Sequence, residues 1–141
     1  MLKNSLLSRT ILRVAPFMVL ALFTLTACFG NNSNPANSSA HQRITTDAGY
    51  QMMRELTGYV LLDVRTPAEF RERHITGAIN IPVNEISRRA TNELPDKNAV
   101  LFVYCRTGAR SETAARTLAQ MGYTQVFNIG GIVDWRGPVS N

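Results

Sequence analysis

One loop combines a cysteine with a glycine and two arginines, and it lies between an apolar run and a predicted helix. The loop consists of Cys105, Arg106, Thr107, Gly108, Ala109, Arg110 and Ser111. A cysteine at the N-terminus of a helix experiences positive potential, which favours the thiolate over the thiol. Because the thiolate is the reactive form, we interpret Cys105 as a nucleophile.

The residues after the cysteine are suited to binding an anion. Gly108 permits a positive φ angle, with which successive backbone N–H groups converge on a negative charge. Arg106 and Arg110 add fixed positive charge that suits a divalent anion. Thr107 and Ser111 offer hydroxyl donors, and Ser111 is alternatively a helix cap. The predicted substrate-binding residues are accordingly Arg106, Thr107, Gly108, Ala109, Arg110 and Ser111.

The alternative for Cys105 is a buried thiol without chemistry, since free cysteines are often buried. Its position after an apolar run and before a cationic loop argues against that alternative. The chain has two cysteines, so Cys105 is the only thiol of the mature protein if Cys28 carries a lipid. A lone thiol in an oxidising compartment is prone to oxidation. A position without chemistry could avoid this risk with another residue, so the cysteine indicates a function.

Two apolar runs predict the strands that position this loop. Residues 59–64 and 99–104 are almost uninterrupted apolar stretches, which is typical of strands buried on both faces of a parallel sheet. Shorter strands are predicted at residues 79–81 and 126–128. Ligands bind beyond the carboxyl ends of the strands in such sheets, and Cys105 follows one of those ends.

Helical signals alternate with the strands. Residues 45–56 form a predicted helix with a threonine as N-cap. Residues 66–69 have the spacing of a capping box, with proline at the first helical position. Residues 110–121 place small and apolar side chains on one helical face. Alternating strands and helices indicate an α/β sandwich with a mostly parallel sheet.

Together, three motifs of the chain resemble those of the single-domain rhodaneses, a family of sulfurtransferases. They are Asp63-Val-Arg65-Thr-Pro-Ala-Glu69-Phe70 followed by His74-Ile75 and Gly77-Ala78-Ile79-Asn80-Ile81-Pro82, the loop from Cys105 to Ser111, and the ending Gly130-Gly131-Ile-Val-Asp-Trp135. The match covers nearly all of residues 42–141. Arg73 is a departure, because the family usually has glycine at this position.

The resemblance implies a three-layer α/β fold with a five-stranded, mostly parallel sheet and helices on both faces. It implies that Cys105 takes sulfane sulfur from thiosulfate or a similar small anionic donor as a persulfide, and passes it to cyanide or a thiol. No metal and no organic cofactor is implied. Rhodanese-like domains also serve as non-catalytic or redox partner-binding modules, so that alternative stays open.

A second alternative is a cysteine-dependent phosphatase or arsenate reductase. The length of the loop distinguishes this alternative from a rhodanese. Such phosphatases resemble the pattern Cys-x5-Arg, whereas four residues separate Cys105 from Arg110. The shorter loop makes a tighter cradle and favours the rhodanese interpretation.

The other charged or aromatic motif residues receive mainly structural interpretations. Arg65 and Glu69 are four residues apart, so we predict an ion pair between them, and Glu69 also fits the capping box. Asp63 ends a strand beside the loop. It either contacts the residues that form the site, without touching the substrate, or forms structural hydrogen bonds. We assign His74 a structural role and expect Trp135 to pack on the core.

The N-terminal residues have the pattern of an export signal. Three of the 15 basic residues and none of the 10 acidic ones lie in residues 1–27, so the remainder contributes only +2 of the net charge of +5. That balance is too weak to predict nucleic-acid binding. Residues 14–27 are uncharged but shorter than the roughly 20 residues of a spanning helix, which favours a signal peptide.

The segment that ends at Cys28 resembles the lipobox of bacterial lipoproteins. The resemblance implies a signal peptide over residues 1–27, a lipidated Cys28, an Asn- and Ser-rich tether over 28–41 and a rhodanese domain over 42–141. We then expect a monomer, lipid-anchored in the cell envelope and facing the periplasm or exterior. In a Gram-negative cell the outer membrane is favoured, because Phe29 is not the aspartate that retains many lipoproteins at the inner membrane. An ordinary signal peptide and an uncleaved anchor are the alternatives.

Overall fold

The two longest apolar runs of the chain lie side by side at the centre of a parallel sheet. The computed structural model describes residues 41–141, and in it Leu61 pairs with Phe102 and Asp63 with Tyr104. Both strands therefore end at the same edge of the sheet. Cys105 is the last residue of the second strand, as the sequence predicts.

Seven strands and four α-helices alternate along residues 41–141. The strands are β1 (His41–Arg43), β2 (Val60–Asp63), β3 (His74–Ile75), β4 (Ile79–Asn80), β5 (Val100–Cys105), β6 (Gln125–Gly131) and β7 (Val139–Ser140). The helices are α1 (Thr46–Glu55), α2 (Pro67–Glu72), α3 (Ile86–Glu93) and α4 (Ala109–Gln120). The main sheet has the order β1-β6-β5-β2-β4, and every pairing in it is parallel.

Alternate residues of the central strands face two separate apolar layers. Leu62 and Val103 belong to a fully buried cluster that includes side chains of α3 and α4. Leu61 and Phe102 belong to a second cluster, on the other face, with a side chain of α1 and with Trp135. Helices thus cover both faces of the five-stranded sheet, which confirms the predicted three-layer α/β fold.

The predicted helix starts are confirmed by their hydrogen bonds. Thr45 is the N-cap of α1, where its hydroxyl accepts the Ala48 N–H at 3.1 Å. Thr66 and Glu69 form the complete capping box of α2, with Pro67 in the first turn. These caps satisfy backbone donors that a helix N-terminus otherwise leaves without partners.

A small antiparallel sheet, formed by β3 and β7, joins the C-terminal end of the chain to the segment after α2. His74 pairs there with Ser140, and its Nδ1 lies 2.9 Å from the Phe70 carbonyl oxygen, which supports its structural interpretation. Arg73 has φ −167° and ψ 132°, an extended conformation open to any residue. The backbone therefore accommodates arginine where the family usually has glycine. Trp135 is 8% exposed in the core, as expected.

The predicted export segment lies outside the described residues. This holds for the signal peptide, for Cys28 and for residues 29–40 of the tether. His41, which the sequence interpretation placed at the end of the tether, is the first residue of β1. Within residues 41–141, none of the helices has both the length and the apolar character needed to cross a bilayer.

Candidate active site

Cys105 lies where the central strand gives way to a helix. It ends β5 with an exposed fraction of 1%, and α4 starts four residues later. Gly108 is the N-cap of α4 and has φ 105°, the left-handed conformation that the sequence predicted for it. Its backbone N–H donates to the Cys105 sulfur at 3.1 Å. The loop therefore turns back over the thiol.

The loop lowers the pKa of the Cys105 thiol. Burial acts first and in the opposite direction, because it penalises the charged thiolate. Hydrogen bonds from the backbone N–H and hydroxyl of Ser111, and from the N–H groups of Gly108 and Thr107, stabilise the thiolate. The donors outweigh the burial, so the pKa is lowered overall. A low pKa together with converging donors is the environment of a reactive cysteine.

The end of β6 lies against the back of this loop. Cys105 pairs with Gly131 after a register shift in the β5–β6 ladder. A Cβ on Gly131 would lie 2.3 Å from the Arg106 carbonyl oxygen, so only glycine allows this approach. The Val133 N–H donates to the same oxygen at 3.3 Å. The Gly-Gly motif near the C-terminus thus sets the position of the loop.

Glu69 pairs with Arg110 and not with Arg65, so the predicted Arg65–Glu69 ion pair is wrong. Arg110 Nη1 and Nη2 each donate to a different Glu69 oxygen at 2.8 Å. These hydrogen bonds hold the pKa of Glu69 at about 2. The spacing rule failed because Arg65 turns inward, whereas Glu69 faces the loop. Since both side chains are about one-third exposed, the pair stabilises the fold by roughly 0.2–1 kcal/mol.

Arg65 instead pairs with Asp63 beneath the sheet edge. The Arg65 Nη2 donates to Asp63 at 2.6 Å, and the Asp63 side chain is fully buried. The same Nη2 lies 2.6 Å from the carbonyl oxygen of Arg73. Asp63 also accepts the backbone N–H of Arg65 at 2.9 Å. This carboxylate therefore forms structural hydrogen bonds that fix the chain between β2 and α2.

Ser111 belongs to a buried polar cluster that the sequence analysis missed. Its hydroxyl lies 2.8 Å from Asn128 Oδ1 and 3.7 Å from the Cys105 sulfur. Asn128 Nδ2 donates to Glu112 at 2.8 Å, and Glu112 lies 3.0 Å from His41 Nε2. Ser111 is the third residue of α4 and does not cap it. The only sequence signal was an asparagine inside an apolar strand.

The remaining loop residues lie at the mouth of the site. Arg106, Thr107 and Ala109 are exposed, and Ala109 is the first residue of α4. A cavity of about 240 Å³ opens beside Arg106, whereas Thr107 lines a separate cavity next to Arg43 and Thr46. The cavity beside Arg106 is lined by Arg65, Glu69, Glu72, Arg73, Arg106, Ile132 and Val133. Within residues 41–141, no cluster of His, Cys, Asp or Glu side chains has the arrangement of a metal site.

Comparisons with known proteins agree with this geometry. Residues 45–137 match the family model of the rhodanese-like domain. The chain is 45% identical over 73 residues to the thiosulfate sulfurtransferase PspE of Escherichia coli, a match that covers 52% of this chain and 70% of that protein. It is 36% identical over 109 residues to the putative sulfur carrier protein YrkF of Bacillus subtilis, covering 77% of this chain and 58% of that protein.

A solved structure, described as a rhodanese with anions from E. coli, superposes with a TM-score of 0.56 at 41% identity. The superposition covers 59% of this chain and 98% of that structure. The matched family model spans both the strand that carries Cys105 and the helix that follows it.

Proposed function

The chain belongs to the rhodanese-like domain family, and from that premise we propose that it is a sulfurtransferase. It moves sulfane sulfur from thiosulfate, or a similar small dianion, to cyanide or a thiol through a persulfide on Cys105. The observation that carries the proposal is the lowered pKa of a thiol held under a loop of backbone N–H donors. No metal or organic cofactor takes part in this mechanism.

In the first half-reaction the Cys105 thiolate attacks the outer sulfur of thiosulfate. A sulfur–sulfur bond forms to Cys105, the bond between the two thiosulfate sulfurs breaks, and sulfite leaves with the electron pair. The product on the protein is a terminal persulfide anion. The N–H groups that stabilise the thiolate are in place before the reaction, and we expect such preorganised donors to stabilise the persulfide charge without rearrangement.

In the second half-reaction a nucleophile attacks the terminal sulfur of the persulfide. With cyanide, a carbon–sulfur bond forms, the Cys105–sulfur bond breaks, and thiocyanate leaves while the thiolate returns. With a thiol acceptor, the acceptor departs as the persulfide. This is a double displacement with a covalent intermediate, and no net oxidant or reductant is consumed.

Three similar proteins support two versions of the same chemistry, catalytic sulfur transfer and sulfur carriage. PspE is named a thiosulfate sulfurtransferase, and the solved E. coli rhodanese is described with anions, which fits a small dianionic donor. The Bacillus relative is named a putative sulfur carrier, which fits a domain that holds sulfur without turning over. The 1% exposure of Cys105 favours a small donor and acceptor over direct attack by a bulky partner.

The test is thiocyanate production from thiosulfate and cyanide by the purified chain and by Cys105→Ser. The proposal expects turnover by the first and none by the second. Equal turnover by both would overturn it. If a persulfide forms but does not turn over with cyanide or a thiol, the proposed catalytic activity is wrong and a sulfur-carrier function takes its place.

We further propose that the chain is an exported lipoprotein, cleaved before Cys28 and tethered to a membrane as a monomer through residues 28–40. The lipobox-like segment and the basic start and uncharged run of residues 1–27 support this. Cys28→Ala is expected to move the protein from the membrane fraction to the soluble fraction. Continued membrane retention of that variant would contradict lipidation at Cys28.

A further inference from the structure

One carboxylate serves two elements beside the site. Glu69 accepts the backbone N–H of Thr66 at 3.0 Å and so completes the capping box of α2. The same side chain accepts from both terminal nitrogens of Arg110 in the first turn of α4. Glu69 therefore joins the N-terminus of one helix to the substrate loop.

Arg110 lies in the first turn of α4, two residues after Gly108, whose N–H donates to the Cys105 sulfur. The pKa of Arg110 is raised first by its hydrogen bonds to Glu69, and the charge of the Cys105 thiolate raises it further. When one carboxylate binds two nitrogens of a guanidinium, the two parallel hydrogen bonds prevent the group from rotating about either bond. The plane of the guanidinium is then fixed. Its remaining N–H groups then point in a defined direction.

We propose that Glu69 is a positioning residue for sulfur transfer, which aims the guanidinium of Arg110 at the anionic donor above Cys105. This inference rests on the proposed function of Cys105. The donor and the departing sulfite are both dianions, so a cation fixed near the sulfur stabilises the approach and the departure. Fixing the cation in advance removes the cost of ordering a long side chain in the transition state.

Charge alone predicts the opposite behaviour. The negative charge of Glu69 repels an anionic donor, so its removal accelerates the reaction if Glu69 acts only through its field. Removal slows the reaction if Glu69 acts by holding Arg110. The sign of the effect therefore separates positioning from a field effect.

The variant Glu69→Gln isolates the positioning role. Its one amide oxygen still accepts from Thr66 and from one Arg110 nitrogen, because glutamine is accepted in a capping box. Its amide NH2 group faces the other Arg110 nitrogen, donor against donor, so the paired arrangement breaks. Thr66→Ala weakens the helix cap and removes the hydrogen bond from the Thr66 hydroxyl to Glu69 Oε2 at 2.9 Å, but it removes no atom that contacts Arg110. Glu93→Gln is a remote control, since Glu93 pairs with Arg89 at 2.6 Å on α3.

The measurement is the rate of Cys105 alkylation by iodoacetate, an anion, divided by the rate with neutral iodoacetamide. Dividing the rates cancels changes in thiol pKa, so the ratio reports how well the site attracts and orients an anion. The proposal expects this ratio to fall about threefold to tenfold in Glu69→Gln. It expects Thr66→Ala and Glu93→Gln to keep the ratio of the unaltered chain. A rise or no change in Glu69→Gln would overturn the proposal.

A double variant shows whether Glu69 acts through Arg110. In an Arg110→Ala background, Glu69→Gln is expected to cause no further fall and at most a small rise of the alkylation ratio, because only the repulsive charge of Glu69 is then removed. An equal fall in both backgrounds would overturn the proposal in favour of a separate effect on the loop. The rate of persulfide formation from thiosulfate is expected to follow the same pattern. Alkylation needs no sulfur transfer, so a chain that forms no persulfide refutes the proposed function while the alkylation ratio still tests the positioning role.

Discussion

Two ion pairs near the candidate active site each join a carboxylate to an arginine, but they differ in burial and in role. Asp63 and Arg65 lie beneath the sheet edge, with side-chain exposures of 0% and 7%. Glu69 and Arg110 lie at the mouth of the site, with exposures of 28% and 34%. The buried pair orders the backbone, whereas the exposed pair contributes little stability and joins α2 to the first turn of α4. Burial, more than contact distance, decides which pair supports the fold and which supports the chemistry.

Breaking the buried pair has the largest expected effect. Asp63→Asn leaves the Arg65 guanidinium buried without its counter-charge, and the loss of one partner of a buried pair costs about 3–5 kcal/mol. Urea denaturation of the variant is expected to show this loss in the free energy of unfolding. A loss below about 1 kcal/mol would mean that the buried pair is no different from an exposed one.

The thiol environment is expected to depend on the loop more than on either ion pair. The single proton of the Ser111 hydroxyl is shared between the Cys105 sulfur at 3.7 Å and the nearer oxygens of Asn128 at 2.8 Å and Gly108 at 2.9 Å. Ser111→Ala removes its share of the thiolate stabilisation and therefore raises the pKa of Cys105. Asn128 Oδ1 keeps a partner in this variant, because the Gly130 N–H donates to it at 3.0 Å. The iodoacetamide rate at neutral pH is expected to fall by about threefold to tenfold. An unchanged rate–pH profile would show that the hydroxyl does not reach the thiolate.

The helix cap shared with Glu69 has an intermediate expected effect on stability. Thr66→Ala removes the hydroxyl that accepts the Glu69 N–H at 3.3 Å. Loss of an N-cap hydroxyl costs about 1 kcal/mol. Thermal denaturation is expected to show a small decrease in Tm, while the iodoacetate to iodoacetamide ratio stays the same. A change in that ratio would mean that capping and Arg110 positioning cannot be separated.

The smallest expected effect is the loss of stability in Glu69→Gln. The pH dependence of this loss distinguishes an ionic contact from other contributions of Glu69. The hydrogen bonds from Arg110 hold the pKa of Glu69 below its ordinary value of 4.5. A depressed carboxyl pKa stabilises the fold above the ordinary value and loses that stabilisation as the pH falls toward the folded value. The difference in unfolding free energy between the chain and Glu69→Gln is therefore expected to be constant above about pH 5 and to shrink between about pH 4.5 and pH 2. A difference at pH 2 as large as that at neutral pH would contradict the ionic origin of the contact.

The sequence predicts the fold and the loop well because both depend on local patterns. Apolar runs mark β2 and β5, the Thr66 capping box is formed, and the glycine at 108 has the expected left-handed conformation. These features depend on neighbours within a few residues. The family motifs then place the same segments around Cys105.

The partners of the charged side chains could not be predicted from spacing. Arg65 and Glu69 are four residues apart, but Arg65 lies between β2 and α2, where it turns inward to Asp63. The helix spacing rule applies only when both residues lie on one helix. Glu69 meets Arg110, a partner 41 positions away. Asn128 was missed for the same reason, since its contact with Ser111 depends on how β6 packs on α4.

The measurement that tests the central claim most directly is the intact mass of the protein after exposure to thiosulfate. The chain is expected to gain the mass of one sulfur atom on Cys105 and to lose it again when cyanide is added, while Cys105→Ser gains nothing. A chain that stays unmodified, or a Cys105→Ser variant that gains the same sulfur, would contradict the assignment of Cys105 as the sulfur-carrying nucleophile.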